Sequence, residues 1–374
     1  MIYLDSAATT LQKPPAVAAT TARAIRRMAS PGRGGHLPAR EAAQVAFACR
    51  EAAADLFHVA TPEQVVLTFN ATHGLNIAIK SLVRPGSRVL ISGYEHNAVT
   101  RPLHGIPNVE LHVVRSPLFR PDEAVEDFRK SIDGVDVVIC THMSNVFGYI
   151  LPISEIAALC QERGVPLIVD ASQSAGAIPL DCQALGAAFV AMPGHKGLYG
   201  PQGTGLLLCG EKQMGIPLLE GGTGSASVRQ EMPDFLPDRL EAGTHNVAGI
   251  AGLLEGLRFV RRRGVSAIGD KERYLVGRMA EGLEKIPGVE LFWDRREAAQ
   301  GGVLSFRMAG QDCELAGEAL GDRGIAVRAG LHCAPLAHET AGTLDSGTVR
   351  VSVSDFNHER EVHEFLRTMR LLAG

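Results

Sequence analysis

Lysine is scarce in this 374-residue chain, with seven in all, at positions 13, 80, 130, 196, 212, 271 and 285. Six read as solvated surface residues, and Lys196 does not. It lies in AMPGHKGLYGPQGTG, where an apolar run (FVAM) leads into a loop holding Pro193, Gly194, His195 and several more glycines up to Gly205. Glycines let backbone approach a ligand closely, and the end of a strand is where open α/β sheets bind ligands. An amine held there, partly desolvated and with a lowered pKa, is suited to forming a Schiff base.

Asp170 closes the run PLIVD and precedes ASQSAG. An Asp in that place often caps the next turn; the alternative is a carboxylate aimed into the same crevice, as a protonated pyridine nitrogen requires. FNATHGLN (69–76) follows an earlier apolar run and opens a helical pattern. Small and hydroxyl residues there are either plain caps or a phosphate cradle of backbone N–H groups. His96, in YEHNAV, is either a satisfied histidine or an imidazole stacked on a ring and moving protons. Seven cysteines are scattered with no CxxC pair, and most read as small buried hydrophobes. Cys333, in VRAGLHCAP, differs: it lies in a loop with His332 before it and Arg328 near, and positive neighbours favour a thiolate nucleophile.

These residues need elements to hold them. Apolar, β-branched runs at 65–68, 88–92, 109–114, 135–141, 166–170, 189–191 and 205–208 read as strands, with helices at 39–57 and 154–163, the second capped by Ser154. Strand–helix alternation predicts an α/β fold with a mostly parallel sheet between helices. Runs such as VDVVIC predict strands buried on both faces. Past residue 245 the pattern changes to helices at 246–263 and 266–286, strands at 289–292, 303–306, 325–328 and 348–352, and a last helix from about 357. The expectation is a large domain over 15–245 and a smaller α+β domain built from 1–14 and 246–374.

Composition narrows the function classes. With 37 Lys plus Arg against 41 Asp plus Glu the net charge is −4, which argues against capture of nucleic acid or of an anionic membrane. No apolar run reaches the ~18 residues a membrane span needs, and Asp5 interrupts what a signal peptide would keep apolar. Scattered, unpaired cysteines predict no structural metal, no disulfide framework and a reducing, cytoplasmic setting.

Taken in order, LDSAATT (4–10), PGRGGH (31–36), FNATHGLN, EHNA (95–98), HMSNVFG (142–148), VDASQ (169–173), PGHKGLYGPQGTG (193–205), EAGTHN (241–246), RAGLHCAP (328–335) and RVSVSDFN (350–357) make the chain resemble the class V aminotransferase family. Within it the chain is most similar to the cysteine desulfurases with a short cysteine loop, the SufS/CsdA and selenocysteine lyase-like group. The resemblance implies a fold-type I, pyridoxal 5'-phosphate-dependent homodimer with shared active sites. It implies that Lys196 binds the cofactor aldehyde, Asp170 the pyridine nitrogen and Gln173 the ring oxygen, with His96 stacked on the ring. Asn145 would lie near that oxygen and the substrate, with Ala8 also at the substrate. Thr72, Ala71 and His195 would hold the phosphate, joined by Thr244 of the second subunit. Arg350 would take the substrate carboxylate. Cys333 would accept the sulfur of L-cysteine as a persulfide, L-alanine being released and the sulfur passed to an acceptor protein. Arg328 would line its pocket, with Arg33 and His36 reaching across the dimer.

Three departures stand out. Pro193 replaces a phosphate-binding Ser, Asn70–Ala71 replaces Gly-Thr, and His73 replaces Glu. Phosphate binding would then lean more on backbone N–H groups. A selenocysteine lyase would share every motif without needing Cys333, and a transaminase of this fold would leave Cys333 incidental. A scaffold protein on an old enzyme fold would be expected to have lost Lys196 or Asp170.

Overall fold

The computed structural model describes residues 1–32, 34–295 and 299–373. Its centre is a seven-stranded sheet in the spatial order Val65–Thr68, Gly205–Cys209, Phe189–Pro193, Leu167–Asp170, Val137–Thr141, Arg88–Ser92 and Glu110–Val114. Only Gly205–Cys209 runs against the others. Strand residues alternate between two cores. Leu90, Val138, Cys140, Val169 and Val190 pack with the helices Leu37–Phe57 and Ile153–Arg163. Val89, Ile91, Val137, Ile139 and Ile168 pack with the helices Ala71–Leu82 and Asn97–His104 on the other side. Both faces are buried, as the continuous apolar runs predict.

The chain passes from Arg88–Ser92 to the sheet edge at Glu110–Val114, then returns to the other side of its starting strand as Val137–Thr141. That reversal of winding opens a crevice at the carboxyl ends of the strands. Asn70, His96, Asn145, Asp170 and Lys196 all follow or end strands at this edge.

The later part of the chain forms a four-stranded antiparallel sheet, ordered Arg328–Gly330, Thr348–Ser352, Val303–Met308 and Val289–Phe292. The helices Val265–Leu283 and Glu359–Leu372 cover it through Leu275, Met279, Val362 and Phe365, and Leu4 joins the same core. The chain start returns here, Ile2–Tyr3 pairing in parallel with Ile325–Ala326. The helix Val247–Arg263 packs against Pro15–Arg27 and Leu37–Phe57. No helix among the described residues is long and apolar enough to cross a membrane.

Two local expectations are corrected. Ser154 does not cap its helix: the helix starts at Ile153 and Pro152 holds the cap position with no side-chain bond. The run 325–328 is not one strand. It divides at Val327, one piece pairing with the chain start and the other beginning at Arg328 on the four-stranded sheet. Long-range pairing decides this break, which no local pattern encodes.

A buried ion cluster ties the helices to the sheet. Arg50 donates to both carboxylate oxygens of Glu241 at 2.6 Å, and Glu241 also accepts from the Leu67 amide at 2.6 Å and meets His245 Nε2 at 2.5 Å. Removing one partner of such a pair leaves the other charge uncompensated, which costs about 3–5 kcal/mol. Glu241→Ala is therefore expected to lower the chemical-unfolding midpoint substantially. A midpoint equal to wild type would contradict the structural role of this cluster.

Candidate active site

Asp170 ends its strand fully buried and Lys196 follows the neighbouring one, so the sheet brings both to one pocket. The two loops that carry them touch backbone to backbone. A Cβ on Gly176 would lie 2.2 Å from the Gly197 carbonyl oxygen, and one on Gly197 would lie 2.3 Å from that of Ala175. Glycine is required at both positions because any side chain would push the lysine loop away from the aspartate loop.

Burial of the Lys196 amine lowers its pKa to about 8, against the opposing pull of the Asp170 carboxylate. Asp170 also accepts from the Ser172 amide at 2.9 Å, so it does cap the following turn. His96 caps the helix Asn97–His104, its Nδ1 accepting from the Ala98 amide at 3.0 Å. Burial lowers its pKa, so the ring is neutral with its proton on Nε2.

Gln173 and Asn145 line the same pocket. Gln173 Nε2 donates to the Ala7 carbonyl at 3.0 Å, and Ala8 is not among the residues lining this pocket. Asn145 Nδ2 donates to the His332 carbonyl at 2.8 Å, while its Oδ1 is buried without a partner. Ala71 and Thr72 form the first turn of the helix Ala71–Leu82, whose cap Asn70 accepts from the His73 amide at 2.9 Å. Their N–H groups thus belong to a helix N-terminus facing this pocket's rim. His195 is held neutral, its pKa pushed down to about 4 by burial and then by the Lys196 and Lys13 charges, and its buried Nδ1 has no partner.

Cys333 is exposed on a groove that also holds Thr72, His96, Ala98 and Arg101, three of which belong to the Lys196 pocket as well. Its backbone is pinned: Asn97 donates to the Cys333 carbonyl at 2.8 Å, and both His332 and Cys333 adopt left-handed conformations, with φ of 51° and 56°. Such conformations are costly for side-chain-bearing residues and persist only where neighbours impose them. His332 is not the positive neighbour the sequence suggested. Its Nε2 lies 3.1 Å from the Thr348 carbonyl, and burial pushes its pKa down to about 2, so it stays neutral.

Arg350 is almost fully buried, donating from Nη1 to the Asn145 carbonyl at 3.0 Å and from Nη2 to Asp5 at 2.9 Å. Arg328 binds the same Asp5 through Nη2 at 2.9 Å. Thr244 and His36 are exposed and do not line this pocket within their own chain; His36 caps the helix Leu37–Phe57. Arg33 lies outside the described residues.

Lys13 overturns its reading as a solvated lysine. It donates to the His195 carbonyl at 2.8 Å and to Thr10 Oγ1 at 2.5 Å, and burial lowers its pKa to about 8. The same carbonyl accepts from the Thr10 amide and from both Thr9 and Thr10 hydroxyls, at 3.1–3.2 Å. Residues 4–13 form a strap binding the lysine loop, Gln173 and both arginines. Its signal in the sequence was LDSAATTLQK itself, dense in small hydroxyl residues beside an Asp and a Lys.

The profile of the family described as Aminotransferase class-V matches residues 2–365, and the chain belongs to this family. Among its relatives, a probable cysteine desulfurase of Methanothermobacter thermautotrophicus is 32% identical, the match covering 100% of this chain and 95% of that protein. A cysteine desulfurase of Cronobacter sakazakii is also 32% identical, with 100% and 92% covered. The apo cysteine desulfurase of Thermococcus onnurineus NA1 superposes with a TM-score of 0.91 at 30% identity, covering 100% of this chain and 94% of that one. The cysteine desulfurase CsdA (S-sulfonic acid) from Escherichia coli superposes at 0.86 with 26% identity, over 98% and 93%.

A lysine whose pKa is about 8 loses its proton well below the pH at which the ordinary residue does, and the neutral amine is the reactive form. Reductive methylation of the apoprotein followed by peptide mapping is expected to show Lys196 modification rising with a midpoint near pH 8. A midpoint at about 10 or above would mean that the amine is fully hydrated.

Proposed function

We propose that the chain is a cysteine desulfurase that binds pyridoxal 5'-phosphate and converts L-cysteine to L-alanine, with the sulfur left as a persulfide on Cys333. The observation that carries this reading is the groove linking exposed Cys333 to the pocket of Lys196 and Asp170 through Thr72, His96 and Ala98. The buried, unpartnered His195 Nδ1 and Asn145 Oδ1 at that pocket favour a polar ligand there, one that offers the Asn145 oxygen a donor.

In this reading Lys196 holds the cofactor aldehyde, Asp170 its pyridine nitrogen and Gln173 its ring oxygen, with His96 against the ring. Ala71, Thr72 and His195 hold the phosphate, with helix amides replacing the hydroxyls absent at Ala71 and Pro193. The bound cofactor supplies the electron sink that acidifies the substrate α-carbon. Arg350 and Asn145 orient L-cysteine, with Ala8 beside it, and the Lys196 amine takes the α-proton. The Cys333 thiolate attacks the substrate sulfur, and its bond to the β-carbon breaks. The electron pair stays with the carbon fragment, which takes a proton at the β-carbon, regains one at the α-carbon from Lys196 and leaves as L-alanine. Arg328 borders the sulfur-accepting pocket.

A homodimer completes the site: the exposed Thr244 serves the phosphate of a second copy, and Arg33 and His36 serve its Cys333. The domain carrying the cofactor spans 15–245, and 1–14 with 246–374 form the domain carrying the cysteine loop. A sulfur-acceptor protein then collects the persulfide in a reducing, cytoplasmic setting.

Cys333→Ser is expected to keep the visible absorbance of the bound cofactor while L-cysteine turnover falls about 100-fold or more. Turnover near wild type would overturn the role of Cys333. A variant inactive on L-cysteine but active on selenocysteine would leave the sulfur chemistry with Cys333, since selenium departs without it. Keto-acid formation without persulfide would mark a transaminase.

A further inference from the structure

The strands Arg328–Gly330 and Thr348–Ser352 pair antiparallel with Arg328 directly opposite Arg350. Like charges across a ladder repel, and neither guanidinium deprotonates in a protein. Asp5 resolves the conflict. Its Oδ1 accepts from Arg350 Nη2 at 2.9 Å, and its Oδ2 accepts from Arg328 Nε at 3.1 Å and Nη2 at 2.9 Å. Asp5 is 8% exposed and Arg350 2%, so the Arg350 contact is shielded from water and little screened by salt. With Nη1 on the Asn145 carbonyl, the Arg350 guanidinium is fixed in its plane. Its Nε is buried and has no partner.

The charges do not cancel. Two guanidinium groups share one carboxylate, which leaves a single positive charge, and the Arg350 charge acts on both Lys196 and His96 of the pocket. A substrate carboxylate would answer that charge in a charge-assisted pair.

We propose that Asp5 is the positioning residue for the amino-acid carboxylate: it holds Arg328 and Arg350 on one anion, aims the Arg350 guanidinium, and leaves one positive charge for the substrate. This rests on the reading of Arg350 as the carboxylate binder. Asp5 touches no reacting atom and acts on the substrate carboxylate through Arg350.

The test uses the cofactor-loaded protein with Asp5→Asn, which keeps the side-chain size and removes the charge, and Asp5→Glu, which restores it. Asp5→Asn is expected to raise KM for L-cysteine about tenfold or more while kcat stays within about threefold, with part of the affinity regained in Asp5→Glu. Cysteamine has the amine and thiol of cysteine but no carboxylate. Its binding, read from the cofactor absorbance, is expected to be the same in wild type and Asp5→Asn, whereas L-alanine binding weakens. An unchanged affinity for L-cysteine and L-alanine overturns the proposal, and so does an equal loss of cysteamine and L-alanine, which marks a merely structural residue. If wild type makes no L-alanine from L-cysteine, the desulfurase reading fails, and the L-alanine and cysteamine comparison still decides the role of Asp5.

Discussion

Burial makes a lysine amine available in its neutral form near neutral pH, and the large sheet and its loops impose that constraint on Lys196. Six co-directed strands bring their carboxyl ends to one edge, where Asp170 ends one strand and Lys196 follows its neighbour. Burial pulls the amine down to about 8 while the aspartate pulls it back, so proton transfer is balanced rather than forbidden. The absence of side chains at Gly176 and Gly197 lets the two loops come into backbone contact.

The second demand is to couple that edge to an exposed thiol and a buried arginine from a different sheet. The N-terminal strap does this. It bonds the carbonyl of His195, accepts from Gln173, and anchors Arg328 and Arg350 through Asp5. The Cys333 loop is fixed from the other side, by the Asn97 amide and by Asn145 on the His332 carbonyl. The loop carrying the thiol connects two elements of the smaller sheet, while residues that follow strands of the large sheet restrain it.

Much of this was legible in the sequence because the signals are local. Buried parallel strands read as β-branched runs between polar turns, and Lys196, Asp170, His96 and Cys333 each sit in short motifs at strand ends. What stayed hidden depends on distance. Lys13 acts on a carbonyl 182 positions away and Asp5 on an arginine 345 positions away. No periodicity or spacing rule reaches that far, so Lys13 looked like a surface residue. The neutral state of His332 was hidden for a related reason, since tertiary burial sets its charge and residue type does not. The divided strand at Val327 likewise follows from pairing with the chain start.

The central claim is that the exposed thiol and the buried lysine work on one substrate. The direct measurement is a single-turnover incubation of the cofactor-loaded protein with L-cysteine and no acceptor, with L-alanine quantified and the Cys333 peptide weighed by mass spectrometry. The account predicts one L-alanine released for each Cys333 that gains one sulfur atom. L-alanine formed while Cys333 remains an unmodified thiol, with sulfide free in solution, would contradict it.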